Sequence, residues 1–84
     1  MRIHDVRAYQ KLDLIIFVLN DGRILRRRLS DVPRLRDALN RDPEELSRYE
    51  LVGGGVAVHW QGLDEDISLK GLLKAELRPQ RLVA

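Results

Sequence analysis

Leu14-Ile15-Ile16-Phe17-Val18-Leu19-Asn20-Asp21-Gly22-Arg23-Ile24-Leu25-Arg26-Arg27-Arg28-Leu29 carries the strongest structural signal in the chain. Asp21-Gly22 tolerates the positive φ angles of a type I′ turn, whose twist matches that of antiparallel strands. The dipeptide predicts a two-residue loop between a strand over Lys11 to Asn20 and another over Ile24 to Leu29. Such a loop sets Leu19 opposite Ile24 and Phe17 opposite Arg26. One face then holds Leu14, Ile16, Val18, Leu25 and Leu29, with Arg27 among them. The other holds Ile15, Phe17, Leu19 and Ile24, with Arg26 and Arg28. Both faces of the first of these strands are apolar, whereas an antiparallel sheet in a small domain usually alternates apolar with polar. The second face therefore calls for a cover: a helix, the C-terminal tail or another subunit.

Around this hairpin the remaining elements fall into place. Ile3 to Tyr9 reads as a preceding strand. Ser30 or Asp31 can cap a helix, because a short side-chain oxygen accepts from the free amides of a first turn. Pro33 is harmless there, and Val32, Leu35 and Leu39 share one helical face. Asp42-Pro43-Glu44-Glu45 is a second helix start, ending near Arg48, with Leu46 and Tyr49 as its buried residues. Glu50-Leu51-Val52 and Val56-Ala57-Val58-His59-Trp60 flank Gly53-Gly54-Gly55 and predict a second hairpin. A last helix starts at the Ser68 cap, with Ile67 stapled on Leu72, and runs to about Leu77, ahead of Pro79. The expected fold is α+β: one antiparallel sheet of about five strands, in the order β-β-β-α-α-β-β-α, with short helices packed on one side. Residues 5–77 form a single domain and residues 78–84 a frayed tail. No internal repeat is visible.

Composition narrows the function classes. The 84 residues fit one domain. There is no cysteine, hence no disulfide and no thiolate metal site. The net charge is +2, and the basic pI reflects arginine outnumbering lysine by 12 to 3 rather than a large excess of positive charge. A dedicated nucleic-acid footprint usually carries more. The longest apolar run, Leu14 to Leu19, is far below a membrane span, and Met1 to Asp5 lacks the features of a signal peptide. A cytoplasmic location is expected.

Few residues invite a chemical reading. Gly53-Gly54-Gly55 is followed by a strand, not by the Lys-Ser/Thr and helix of a phosphate loop, so it reads as a turn. Asp64-Glu65-Asp66 lacks the alternation of a calcium loop and reads as an acidic approach to the Ser68 helix. His59 and Trp60 are adjacent on a strand and face opposite sides: Trp60 belongs to a core or interface, and His59 has no nucleophile placed beside it. No catalytic residue, metal site or cofactor is expected, and a hydrolase built on His59 and the acids at 64–66 is the least favoured alternative. The candidate partner-binding residues are Phe17, Leu19, Ile24, Arg26, Arg27 and Arg28. Three readings of the arginines stay open: protection of an edge strand, bidentate contacts to acids of a protein partner, or phosphate contacts by the Arg23 to Arg36 segment.

Three stretches together resemble a known family: Leu29-Ser30-Asp31-Val32-Pro33-Arg34-Leu35, Tyr49-Glu50-Leu51-Val52-Gly53-Gly54-Gly55, and His59-Trp60-Gln61-Gly62-Leu63-Asp64-Glu65-Asp66-Ile67-Ser68-Leu69-Lys70-Gly71-Leu72-Leu73. They are similar to domain-of-unknown-function family 2442, with Val32 where an aromatic is common and Gln61 where proline is common. The resemblance implies a compact α+β domain without an established enzymatic activity. It also implies genes that often sit beside another small gene in arrangements typical of toxin–antitoxin pairs. The expected function is a non-enzymatic binding module working by protein–protein contact, as an antitoxin-like partner of a neighbouring gene product or as a homodimer. A nucleic-acid-binding regulator is the alternative.

Overall fold

A computed structural model describes residues 1–76 of the chain. It contains six strands and two α-helices: β1 (Ile3–Tyr9), β2 (Leu14–Leu19), β3 (Ile24–Arg28), α1 (Pro33–Arg41), β4 (Glu50–Val52), β5 (Ala57–Trp60), β6 (Glu65–Ser68) and α2 (Leu69–Glu76). The α+β class is as expected. The single five-stranded sheet is not: the strands form two three-stranded antiparallel meanders, β1-β2-β3 and β4-β5-β6. The additional strand is β6, whose Glu65, Asp66 and Ser68 hide it by composition. Ile67 lies opposite Val58 and is its one core contact. The second expected helix is a 3-10 segment, Pro43–Ser47, with Asp42 capping it by accepting from the Glu44 N–H at 3.1 Å. Leu46 within it is buried as expected. The frayed tail at 78–84 and the far end of the last helix lie outside the described residues.

The first hairpin also corrects the expected register. Phe17 pairs with Leu25, Ile16 with Arg26 and Val18 with Ile24, one residue away from the two-residue-loop alignment. The Gly22 N–H donates to Leu19 O at 3.0 Å and the Leu19 N–H to Arg23 O at 2.8 Å, enclosing the three-residue loop Asn20-Asp21-Gly22. Gly22 has φ +91°. This is the turn-plus-glycine-bulge alternative of the same Asp-Gly signal. A one-residue slip exchanges the faces of the returning strand. Leu25 thus joins Ile15, Phe17 and Leu19 in the core, and Ile24 turns outward.

One hydrophobic core unites the two meanders. Ile3, Val6, Ile15, Phe17, Leu19 and Leu25 come from the first, Val58, Trp60 and Ile67 from the second. Leu29 and Val32 ahead of α1, Leu35, Ala38 and Leu39 of α1, Leu46 of the 3-10 segment, and Leu69 and Leu72 of α2 complete it. The indole N–H of Trp60 donates to Leu46 O at 3.0 Å, so its burial leaves no polar atom unpaired. The Ser68 cap forms as expected, its Oγ accepting from the Gly71 N–H at 2.9 Å. Helix α1 has no side-chain cap. Ser30, expected to supply one, instead donates its Oγ–H and N–H to the Asp13 carboxylate at 2.7 and 2.9 Å.

Two short turns repeat one design. Tyr9-Gln10-Lys11-Leu12-Asp13 joins β1 to β2, and Trp60-Gln61-Gly62-Leu63-Asp64 joins β5 to β6. Each is a 3-10 turn that ends on an aspartate in the left-handed region, Asp13 at φ 51° and Asp64 at φ 50°. Aspartate is among the few residues that tolerate this conformation. The chain thus carries an internal repeat of the pattern aromatic-Gln-x-Leu-Asp.

Candidate functional site

The two faces of the first meander have different fates. The β2 side chains of Ile15, Phe17 and Leu19 point into the core, and Phe17 and Leu19 are 0% and 2% exposed. These two candidate partner-binding residues are therefore core residues with no surface to offer. The opposite face carries Leu14, Ile16 and Val18 of β2 between Ile24, Arg26 and Arg28 of β3 on one side and Asp5, Arg7 and Tyr9 of β1 on the other. Leu14, Ile16 and Val18 are half-buried and stand outside the core cluster. Ile24 is 53% exposed. Among the candidates, Ile24, Arg26 and Arg28 share this outer face. Arg27 alternates to the other side, where it lines a small cleft with Asp31, Glu65 and Asp66.

The basic segment from Arg23 to Arg36 does not form one surface. Arg23 pairs with Asp21 inside the turn at 3.2 Å, and Arg36 pairs with its neighbour Asp37 at 3.3 Å. Arg34 reaches across to the second meander and donates to the carbonyls of Asp64 and Leu63 at 3.0 and 3.4 Å. It fastens the repeated turn, a structural role that the linear sequence hides.

At the far edge of the outer face, Asp5 accepts from the Tyr49 hydroxyl at 2.7 Å and from Arg7 Nε at 3.1 Å. The Tyr49 bond first, then Arg7, hold the Asp5 carboxyl below the ordinary aspartate range. Burial, reinforced by the Asp5 bond, pushes the Tyr49 hydroxyl up. A carboxyl lowered in the folded state stabilises the fold above its unfolded pKa, and the contribution is lost as pH falls through the folded value. Urea titrations from pH 6 down to pH 2 are expected to show the advantage of the wild type over Asp5→Asn shrinking toward the acid end. An advantage independent of pH would refute this role for the carboxylate.

The second meander aligns Glu50, His59 and Asp66 across its three strands on the face turned from the core. His59 Nδ1 contacts the Asp66 carboxylate. Asp64 is spent in the turn, and Glu65 sits on the face opposite Asp66, so only one of the three clustered acids reaches His59. The three serine hydroxyls are held elsewhere: Ser30 at Asp13, Ser47 at the Glu44 carbonyl, Ser68 at the Gly71 amide. Among the described residues no cluster of three or more potential ligands could hold a metal ion. None of the described helices is long and apolar enough to cross a membrane.

The triple glycine is a joint. The Ile3 N–H donates to Gly55 O at 2.7 Å, and Arg2 Nη1 donates to Gly53 O at 2.6 Å. The turn thereby ties the start of β1 to the second meander. The carbonyls of Gly53 and Gly55 are engaged in that contact, and the Gly55 N–H donates to Val52 O at 3.0 Å within the turn, which fits the turn reading.

Two solved structures share this architecture. A solution structure of an uncharacterised protein from Chromobacterium violaceum is 32% identical, with a TM-score of 0.69 over 87% of this chain and 64% of that one. This chain thus spans 64% of that protein's length. A crystal structure of a protein of unknown function from Rhodospirillum rubrum is 29% identical, with a TM-score of 0.62 over 88% of this chain and 86% of that one. No curated protein matches the chain. Residues 3–78, which hold both meanders, the glycine joint and the repeated turn, match one family throughout, and the chain belongs to it: Protein of unknown function (DUF2442).

Proposed function

We propose that this protein is a non-enzymatic binding module that docks a protein partner of apolar and acidic character on the outer face of its first meander. One observation carries the reading: the strand β2 is apolar on both faces, yet only one face enters the core. Leu14, Ile16, Val18 and Ile24 make an apolar strip bordered by Arg26 and Arg28. An apolar centre with an arginine rim is the usual anatomy of a protein interface. Charge favours a different chain over a second copy. Two such faces laid together would set Arg26 and Arg28 against Arg7 or against their own counterparts, and like charges in register are destabilising. The family resemblance makes the product of an adjacent gene, in an antitoxin-like pairing, the first partner to test.

Co-expression with that product is expected to give a stable complex with the wild type. The double variant Ile24→Asp with Arg26→Glu is expected to weaken it by about 2 kcal/mol or more, the scale of losing interface anchors. Light scattering and pull-down read the result. A strict monomer that captures nothing, or capture undiminished in the variant, would remove the proposal. Binding to duplex DNA that falls steeply with salt and vanishes in Arg26→Ala with Arg28→Ala would replace it with the nucleic-acid reading.

A further inference from the structure

We infer that the open edge of β1 takes an extended peptide as a fourth strand of the first meander. In an antiparallel pair, alternate residues direct their N–H and C=O groups away from the neighbouring strand. Val6 fixes the phase here: its N–H is met by the Tyr49 hydroxyl oxygen at 3.3 Å, on the side away from β2. Ala8, two residues further along, turns both its N–H and its C=O to the same open side. Among the described residues no group bonds to Ala8 there, since β1 pairs with β2 alone. A free donor and a free acceptor on one residue are what an added strand pairs with.

Space and charge define the occupant. A cleft of about 530 Å³ runs along this edge, within the usual size for a bound ligand. Leu39 and Leu46 form its floor, and Pro43 and Ser47 its far wall. Side chains of an added strand alternate between two faces. One residue therefore enters over Leu39 and Leu46, and the next lies beside Arg7. The Arg7 side chain touches Asp5 through Nε and is 65% exposed. An acid opposite it completes a favourable cross-strand pair. A second copy pairing through the same edge would bring its own Pro43–Ser47 wall into the gap and a second Arg7 beside the first. The occupant is thus an extended segment of another chain in which apolar and acidic residues alternate. This inference is independent of docking on the outer face.

The test uses the full chain, ¹⁵N-labelled, and an end-blocked heptapeptide of alternating glutamate and valine. The peptide is expected to slow hydrogen exchange of the Ala8 amide by about tenfold or more. A lysine–valine counterpart is expected to bind at least about tenfold more weakly. Ala8→Pro removes the outward N–H without touching a bond of the fold, a substitution that edge strands accept. It should lower affinity by about tenfold or more while the circular dichroism spectrum stays unchanged. Ile24→Asp should leave affinity unchanged, which separates this site from the outer face. Absence of protection at Ala8, or wild-type affinity in a folded Ala8→Pro, overturns the inference. Should Ala8→Pro fail to fold, protection of the Ala8 amide in the wild type decides alone.

Discussion

Gly55→Ala is expected to unfold most of the population at temperatures where the wild type is stable. A Cβ at position 55 would lie 2.4 Å from Ile3 O and 3.0 Å from both Ile3 N and Arg2 Cβ. The two closest of these contacts, apart from Arg2, are backbone atoms that cannot swing aside. The residue also sits at φ +118°, a conformation that costs an L side chain about 1–2 kcal/mol by itself. Relief of the overlap requires β1 to move off, breaking the Ile3–Gly55 hydrogen bond and exposing Ile3 at the core's edge. A lost hydrogen bond costs about 1 kcal/mol, and partial exposure of a buried isoleucine adds a similar amount. The sum is about 3–4 kcal/mol, and at about 4–8 °C per kcal/mol for a domain of this size the melting temperature falls by at least about 12 °C. Gly22→Ala is the matched control. Its φ is +91°, yet nothing lies within 4 Å of its Cβ, so only the conformational cost applies. Thermal melts of both variants check the contrast, and equal losses would show that the close approach at Gly55 is unimportant.

Trp60→Ala is the second large effect. Trp60 is 1% exposed, the largest fully buried side chain, and it lies where the second meander meets the 3-10 segment. Its ring also packs against Tyr49, with centroids 6.3 Å apart and planes tilted by 58°. Removing an indole from a core costs about 3–5 kcal/mol. The Leu46 carbonyl would lose its donor as well. Because Tyr49 holds Asp5, the loss should spread to the edge of β1. Urea unfolding followed by circular dichroism is expected to show a midpoint reduced by half or more. Trp60→Phe, which keeps a ring but not the N–H, should fall between. A Trp60→Ala protein as stable as the wild type would contradict the packing described.

The two effects mark what was legible in the sequence. The sequence placed Trp60 in a core or an interface, and the structure shows it in the core. The Ser68 cap and the buried face of α1 were legible from cap chemistry and helical spacing. The register of the first hairpin was legible only in part. Asp21-Gly22 supports either a two-residue loop or a three-residue loop with a glycine bulge, and turn chemistry alone does not choose. The returning strand does not choose either. In both registers one face carries Leu25, Arg27 and Leu29 and the other Ile24, Arg26 and Arg28, so the slip only exchanges which set lies beside Phe17. The choice is made by the rest of the fold, which closes the core on the Phe17 face and takes Phe17 and Leu19 out of the candidate surface. The strand β6 was hidden because three of its four residues are polar and only Ile67 signals burial. The repeated turn was written in the chain as Tyr9-Gln10-x-Leu12-Asp13 and Trp60-Gln61-x-Leu63-Asp64, but its two copies are short and far apart. The open edge at Ala8 depends on which strands pair, and no local pattern encodes that.

The joint at Gly55 also sets an order of events during biosynthesis. The partner of the Ile3 amide is a carbonyl 52 residues downstream. At ribosomal rates of about 5–20 residues per second, that carbonyl is made roughly 3–10 seconds after Ile3. Through this interval a nascent chain can form the first hairpin but has nothing to lay against the start of β1, and Phe17 and Leu19 lack their cover from the second meander. The fold is therefore completed by the second meander and α2, and the newly made first meander is an apolar, open-edged intermediate in need of protection until those elements arrive.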